Sequence, residues 1–261
     1  MIIIKKFYTC RYDIVFKEVF SKETNKDILI ALLESILKIK IEKIRYLNNE
    51  KNVGNLYIKR KHFDLHIKTE FENIQIELNN YINDYTRPRG VAYLCNTYSK
   101  ETLKGEEYNF DTKYIQINLT YGLSRKKSKY YDDKDMRIYS IQDSNNKEYV
   151  NNFYIYEINM DYFLNIWYTK SNKEIDKFKY LIMLDLKEEE LKNLSQNDKV
   201  VEKYMDEVEK INEDPEFYEY MSAEEDDRKI ENSLRRQWKT EGLEEGIKEG
   251  IKEGIKEGKE Q

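Results

Sequence analysis

Two short segments alternate strictly between apolar and polar residues, and no other feature of the chain restricts its fold as much. In residues 62–68, Phe63, Leu65 and Ile67 fall on one side, and His62, Asp64, His66 and Lys68 on the other. In residues 74–79, Ile74, Ile76 and Leu78 share a side and leave Gln75, Glu77 and Asn79 together. A period of two is that of a β-strand with one apolar face, so both segments are expected to be half-buried strands. The intervening Thr69-Glu70-Phe71-Glu72-Asn73 is short enough for a hairpin, although it lacks the Asn-Gly pair of the tightest turns. An even-length loop centred between Glu70 and Phe71 pairs Phe63 with Leu78, Leu65 with Ile76 and Ile67 with Ile74, which keeps every apolar residue on the core side. The same register predicts that Asp64 faces Glu77. Directly opposed residues have Cβ atoms roughly 4.5–5.5 Å apart, where two carboxylates repel unless a cation lies between them. This geometry asks for a metal ion.

Around the hairpin the pattern is that of an α/β chain. Residues 13–37 read as two helices, with Phe16, Val19 and Phe20 on one face of the first. In the second, Ile28, Leu29, Leu32, Leu33, Ile36 and Leu37 recur at spacings of three and four, and Asn25 or Thr24 is its expected cap. Ile41, Ile44, Tyr46 and Leu47 suggest a strand before the hairpin. Residues 84–103 look helical, with Pro88 tolerable only near the start and Gly105 as the stop. Further strands are expected at 114–119 and 153–158, flanking a polar loop around 124–150. From about residue 171 the periodicity is helical. Pro215 interrupts it, and a charged helix is expected to run on to about Trp238. The tail is a four-residue repeat that includes three copies of Glu-Gly-Ile-Lys. Its apolar stripe winds slowly around a helix, and its glycines weaken an isolated one by about 1 kcal/mol each, so it reads either as a self-associating helix or as a frayed tail. The expected division is therefore a core over 1–170, a helical region over 171–238 and the repeat tail over 239–261.

With 261 residues the chain can bury a sizeable core. No apolar run approaches the ~20 residues of a membrane span, and the short apolar start fails as a signal peptide. Cys10 and Cys95 lack paired spacing and define neither a disulfide framework nor a zinc site, so a cytoplasmic protein is expected. A net charge of −5 argues against a chain that coats nucleic acid everywhere, yet basic clusters stand at Lys59-Arg60-Lys61, at Arg87 with Arg89, and at Arg125-Lys126-Lys127 with Lys129. Local clusters of this kind are sufficient to grip a phosphate backbone. The 23 tyrosines read as core and surface aromatics rather than as a stacking platform, because they show no clustering of the kind single-strand binders use.

Metal-dependent phosphodiester hydrolysis needs carboxylates to hold an ion and a water aimed at phosphorus, and Asp64 with Glu77 meets the first need. Asp13, at the head of the first helix, is either a third, outer ligand or an ordinary N-cap. His62 and His66 share the strand face of Asp64, so the three together are a weaker candidate for a transition-metal site, with two plain surface histidines as the alternative. Arg89 and Tyr93, one helical turn apart, either contact a DNA phosphate or tie helix to sheet. Lys17, four residues after Asp13, either meets DNA or pairs with that carboxylate.

The segments Asp13-Ile14-Val15-Phe16-Lys17-Glu18-Val19-Phe20 and Asn25-Lys26-Asp27-Ile28-Leu29, then Asp64, Ile76-Glu77-Leu78-Asn79, Arg89, Tyr93, Tyr98 and Leu103-Lys104-Gly105-Glu106-Glu107-Tyr108 occur in an order that resembles the recombination-promoting nuclease and transposase family of the PD-(D/E)XK superfamily. The resemblance continues through Asp214-Pro215 and the Glu-Gly repeats. It implies an α/β, PD-(D/E)XK-like mixed central sheet flanked by helices, followed by the helical region and repeat tail. It further implies a Mg²⁺-dependent DNA endonuclease, with Mn²⁺ as a substitute, acting in recombination, mobile-element biology or phage defence. Asp64 matches the aspartate of the PD motif, Glu77 the acidic residue of the E-x-K segment, and Asp13 the first-helix acid. Position 79 departs from the pattern. The superfamily usually has lysine there and this family glutamine, whereas this chain has Asn79, a neutral amide that orients a water without lowering its pKa by charge. His62, opposite Asn79 in the inferred register, is the candidate to share that role. The expected DNA-contacting set is Arg89, Tyr93, Lys17, Lys59 and Lys61, and the repeat tail points to a homo-oligomer. Two alternatives remain: a DNA-binding relative that no longer cleaves, and an interaction protein acting through its helical half.

Overall fold

The two alternating segments form the antiparallel pair that their pattern predicts, at the heart of a mixed six-stranded sheet. The computed structural model describes residues 6–47, 64–101, 111–223, 225, 246, 247 and 250. Its strands are β1 (Arg45–Tyr46), β2 (Leu65–Lys68), β3 (Glu72–Asn79), β4 (Lys113–Thr120), β5 (Met136–Ser140) and β6 (Phe153–Asn159), in the spatial order β1-β2-β3-β4-β6-β5. The β1–β2, β2–β3 and β5–β6 pairs are antiparallel, and β4 runs parallel to both β3 and β6. In the hairpin Leu65 pairs with Ile76 and Ile67 with Ile74. The Thr69 amide donates to the Glu72 carbonyl at 2.8 Å, so only Glu70 and Phe71 form the turn. The even loop and the register are thus as expected. Phe63 and His62, which would extend the pairing, lie outside the described residues.

Strand β2 keeps the expected alternation, with Leu65 and Ile67 buried and His66 and Lys68 partly exposed, but β3 is buried on both faces. Gln75, Glu77 and Asn79 are as buried as their apolar neighbours, because β4 pairs along the other edge of β3 and a helix covers the polar face. That helix is α3 (Thr86–Glu101), the crossover between the parallel strands β3 and β4. Parallel register aligns Glu77 with Asn118 and Asn118 with Glu157, so acidic and amide side chains form a row across the sheet beneath α3. Bonds among these buried polar residues and to the helix offset part of the cost of burial, although Gln75 Oε1, Glu77 Oε1 and Gln116 Oε1 have no partner. Thr120 Oγ1 donates to Glu157 Oε1 at 3.0 Å, and Arg87 Nε meets Glu157 Oε2 at 2.9 Å. Gln75 donates to Thr97 of α3, and Gln116 Nε2 donates to Asn118 Oδ1 at 3.1 Å.

The helices before the hairpin are α1 (Asp13–Phe20) and α2 (Lys26–Leu37), and their apolar stripes are fully buried as the spacing predicts. Asn25 does not cap α2 with its side chain. Its amide instead donates to the Val19 carbonyl at 2.9 Å and to Glu207 at 3.2 Å. The strand expected at 41–47 shrinks to β1, since Ile41 and Ile44 are buried without entering the sheet. Two elements escaped the sequence pattern: β5, inside the stretch expected to be loop, and α4 (Met160–Thr169), which begins where β6 ends. The helical stretch that follows is α5 (Asn172–Ile182), α6 (Glu188–Ser195) and α7 (Lys199–Glu213). It packs onto the core: α5 lies against α2 and α4, and Lys203 of α7 reaches Asp27 at 2.6 Å.

Chain contacts divide the protein into one unit over Met1–Ile211 and a second over Asn212–Gln261. In the second, residues 215–223 are helical, with Pro215 in the first position, where its missing N–H costs nothing. Gly246, Ile247 and Gly250 of the repeat are helical too, and a Cβ placed on either glycine would meet only open space. The remainder of the repeat lies outside the described residues. No helix among the described residues is long and apolar enough to cross a membrane.

Candidate active site

The hairpin places Asp64 one position before the Leu65–Ile76 pair, level with Glu77. Both carboxylates open onto a cleft of about 490 Å³ at the end of β3, between α1 and the start of α3. The cleft exists because three local features converge. Helix α1 presents Asp13 and Lys17 from one face, β3 ends in Asn79 and Asn80, and α3 turns Arg89 and Tyr93 back over the strand. Thus Asp13, Lys17, Asp64, Glu77, Asn79, Arg89 and Tyr93, all named from the sequence, meet in one place. Lys59, Lys61 and His62 lie outside the described residues. His66 points along the strand to Asn73, with Nε2 2.6 Å from Oδ1, and does not line the cleft.

The two acids have different surroundings. Asp64 is well supplied: Lys17 Nζ lies 2.8 Å from Oδ1, and the Leu78 amide donates to Oδ2 at 2.7 Å. Glu77 is not, since its Oε1 is buried without a hydrogen-bond partner. Burial, and secondarily the negative charge of Asp64, push the Glu77 carboxyl up to about 8, while Arg89 and Lys17 pull the other way. A buried carboxylate oxygen that faces another carboxylate and lacks a donor is the arrangement a bound cation would complete. Among the described residues no three His, Cys, Asp or Glu side chains group at metal-ligand spacing. Asp13 shares the cleft, but it accepts from Asn80 Nδ2 at 3.3 Å and does not close a three-carboxylate cluster with the pair. Nor does it cap its helix, since it occupies the first helical position after Tyr12. Two carboxylates with room around them suit a hard ion that keeps most of its waters, as Mg²⁺ does, better than a closed zinc cage.

Asn79 is held by Arg89, whose Nη2 donates to Asn79 Oδ1 at 2.7 Å. The amide oxygen is therefore engaged, and what Asn79 has left to offer the cleft is N–H donors. Arg89 does tie helix to sheet, and it does so at the cleft wall. Lys17 stays an ammonium: burial acts to lower its pKa, but Asp64 with Asp13 and Glu77 outweighs that and raises it.

The sequence reading missed the rim of the cleft. Asn80, Tyr81, Asn83 and Thr86 line it. Thr86 Oγ1 donates to Asn83 Oδ1 at 3.2 Å and accepts from the Asn83 amide at 3.0 Å, which fixes the turn into α3. Asn-x-x-Thr before a helix is a capping pattern, and it was the one sequence signal that this turn is ordered.

A family model described as PD-(D/E)XK nuclease family transposase matches residues 10–236. Comparison with curated proteins and with solved structures gave no match.

Proposed function

Since the chain belongs to the PD-(D/E)XK nuclease family of transposases, we propose that it is a Mg²⁺-dependent DNA endonuclease whose reacting centre is the cleft of Asp64 and Glu77. The observation that carries this reading is the buried, partnerless Oε1 of Glu77 beside the carboxylate of Asp64. Nucleases of the superfamily typically use divalent metal ions, and DNA is the substrate that the family implies. Asp64 and Glu77 would hold the ion, with Asp13 in reach of its waters. The ion, when bound, supplies polarisation of a phosphate oxygen and a lowered pKa for a bound water.

The chain's own residues then divide the remaining work. Lys17 and Arg89 place two positive charges on opposite walls of the cleft, where a phosphate of the DNA backbone would enter. Asn79, oriented by Arg89, donates to a water or phosphate oxygen and cannot serve as the base. Tyr93 lines the same wall. The preference for Mg²⁺ rests on the two-carboxylate donor set, which leaves most of the ion's coordination to water and substrate.

Incubation of the protein with supercoiled plasmid and Mg²⁺ tests the reading. Nicked or linear product is expected, and Asp64→Asn, which keeps shape and removes charge, is expected to slow its formation by about 10²-fold or more. Plasmid left intact by the unmutated protein with both Mg²⁺ and Mn²⁺ would sink it. The absence of lysine at position 79 favours a second reading, a relative that binds DNA without cutting it. Salt-sensitive binding with no scission would support that one.

A further inference from the structure

We propose that the cleft acts on DNA carrying unpaired bases, and that Tyr81 on its rim, with Tyr85 in the same turn, is the stacking platform that selects them. This rests on the reading of the cleft as a DNA-cleaving site and adds the substrate class. Two of the tyrosines stand four residues apart in the turn between β3 and α3, and the fold sets that turn beside the cleft. Tyr81 lines the cleft and is 64% exposed, and Tyr85, four residues on, is 81% exposed. The turn that carries them is fixed. Besides the Asn83–Thr86 bonds, the Tyr85 amide donates to Asn83 Oδ1 at 2.9 Å. Two large rings held in water on an ordered backbone contribute little to the core, so their position beside the cleft calls for another partner.

A second loop is joined to this turn. Asp84, between the two tyrosines, accepts from the Tyr130 hydroxyl and pairs with Lys129. Those residues belong to a loop whose base is anchored to α4, where Asp161 accepts from the Gly122 amide at 2.6 Å. The loop carries Arg125, Lys126 and Lys127, all exposed. The turn beside the cleft thus carries aromatic faces and is joined, through Lys129 and Tyr130 on Asp84, to a loop with a run of three exposed cations. That is the chemistry of a single-strand binder: cations follow the backbone while rings stack on bases. In an intact duplex the base faces are already covered by their neighbours, so exposed rings gain nothing from it. Only flipped, frayed or single-stranded nucleotides offer a free face.

Fluorescence anisotropy in EDTA, with a labelled 20-nucleotide single strand and a blunt duplex of the same length, separates these substrates. The unmutated protein is expected to bind the single strand more tightly. The Tyr81→Ala/Tyr85→Ala double variant is expected to lose about tenfold or more in single-strand affinity, so that the preference over duplex collapses. Tyr81→Trp/Tyr85→Trp is expected to restore it, which a loss of fold or of a hydroxyl contact would not produce. Both rings are largely exposed, and an unchanged unfolding temperature is the control for folding. Equal binding to both probes, no binding to either, or a double variant that keeps the preference overturns the proposal. With Mg²⁺ present, a forked duplex should be cut in or beside its unpaired arms. A protein that cuts blunt duplex as readily as forked, and does so equally in the double variant, remains a nuclease but refutes the platform. One that cuts nothing yet shows tyrosine-dependent single-strand binding keeps the platform and refutes the nuclease.

Discussion

Glu77 holds its proton at neutral pH in the metal-free protein, and this sets two opposite pH dependences. In the unfolded chain a glutamate titrates near 4.3, and in the fold Glu77 is raised to about 8, first by burial and then by Asp64. Between those values the folded state keeps a proton that the unfolded chain releases. The contribution is therefore fully present below about pH 4.3 and is lost as pH rises through about 8. Glu77→Gln removes the titration while keeping the neutral shape. Thermal unfolding in EDTA should show the variant gaining much more on the unmutated protein at pH 8 than at pH 4, and an equal gain at both would contradict this account. Divalent metal binding needs the ionised form, so it should tighten over the same interval in which metal-free stability declines. The partner acid, Asp64, is already bonded by Lys17 and the Leu78 amide. Strand alternation brought Asp64 and Glu77 together on paper, but their unequal surroundings come from α1 and α3.

At the scale of elements, the site depends on how closely α3 lies on the polar face of the sheet. Gly90 marks the approach: a Cβ there would stand 3.6 Å from the Asn118 side chain, an ordinary contact. Alanine therefore fits, and it removes the backbone entropy penalty of a helical glycine. Gly90→Ala is expected to stabilise the protein by roughly 0.5–1 kcal/mol, read as a higher urea midpoint at unchanged slope. A lower midpoint would mean that the buried amide row cannot yield even to a methyl group. The hairpin and the paired helices α1 and α2 were legible because each carries a clean period. Strand β5 was not. It is an edge strand with Ile138 and Tyr139 exposed, so its residues carry no one-sided apolar pattern. The short α4 was hidden for the opposite reason, since Met160, Phe163 and Ile166 continue the apolar run of β6 with no break between them.

For the molecule as a whole, a net charge of −5 means that DNA must be held by a few local cations. Lys17 and Arg89 stand at the cleft, and Arg125, Lys126 and Lys127 are exposed on the loop beside Lys129, which pairs with Asp84. If Lys17, Arg89 and the three exposed loop cations each meet a phosphate, the logarithm of affinity should fall with the logarithm of salt concentration with a slope of roughly −3 to −5. A slope near zero would remove the electrostatic basis of the DNA reading, and one near −10 would require a far larger surface than these groups provide. The helical stretch up to Ile211 shares the unit that carries the cleft, through contacts such as Lys22 with Glu207 at 3.3 Å.

Alternation in the sequence determined the hairpin, its register and the pairing of Asp64 with Glu77, because a period of two leaves one way to keep Leu65, Ile67, Ile74 and Ile76 on one side. Helical spacing likewise determined α1 and α2, and the order of the acids and Arg89 carried the family, whose match covers residues 10–236. Tertiary structure alone decided that the polar face of β3 is buried, that Glu77 Oε1 lacks a hydrogen-bond partner while Asp64 has two, and that the turn carrying Tyr81 and Tyr85 borders the cleft. These properties depend on which elements pack against one another across long stretches of chain. A local pattern shows which side of a strand is polar but not what will cover it.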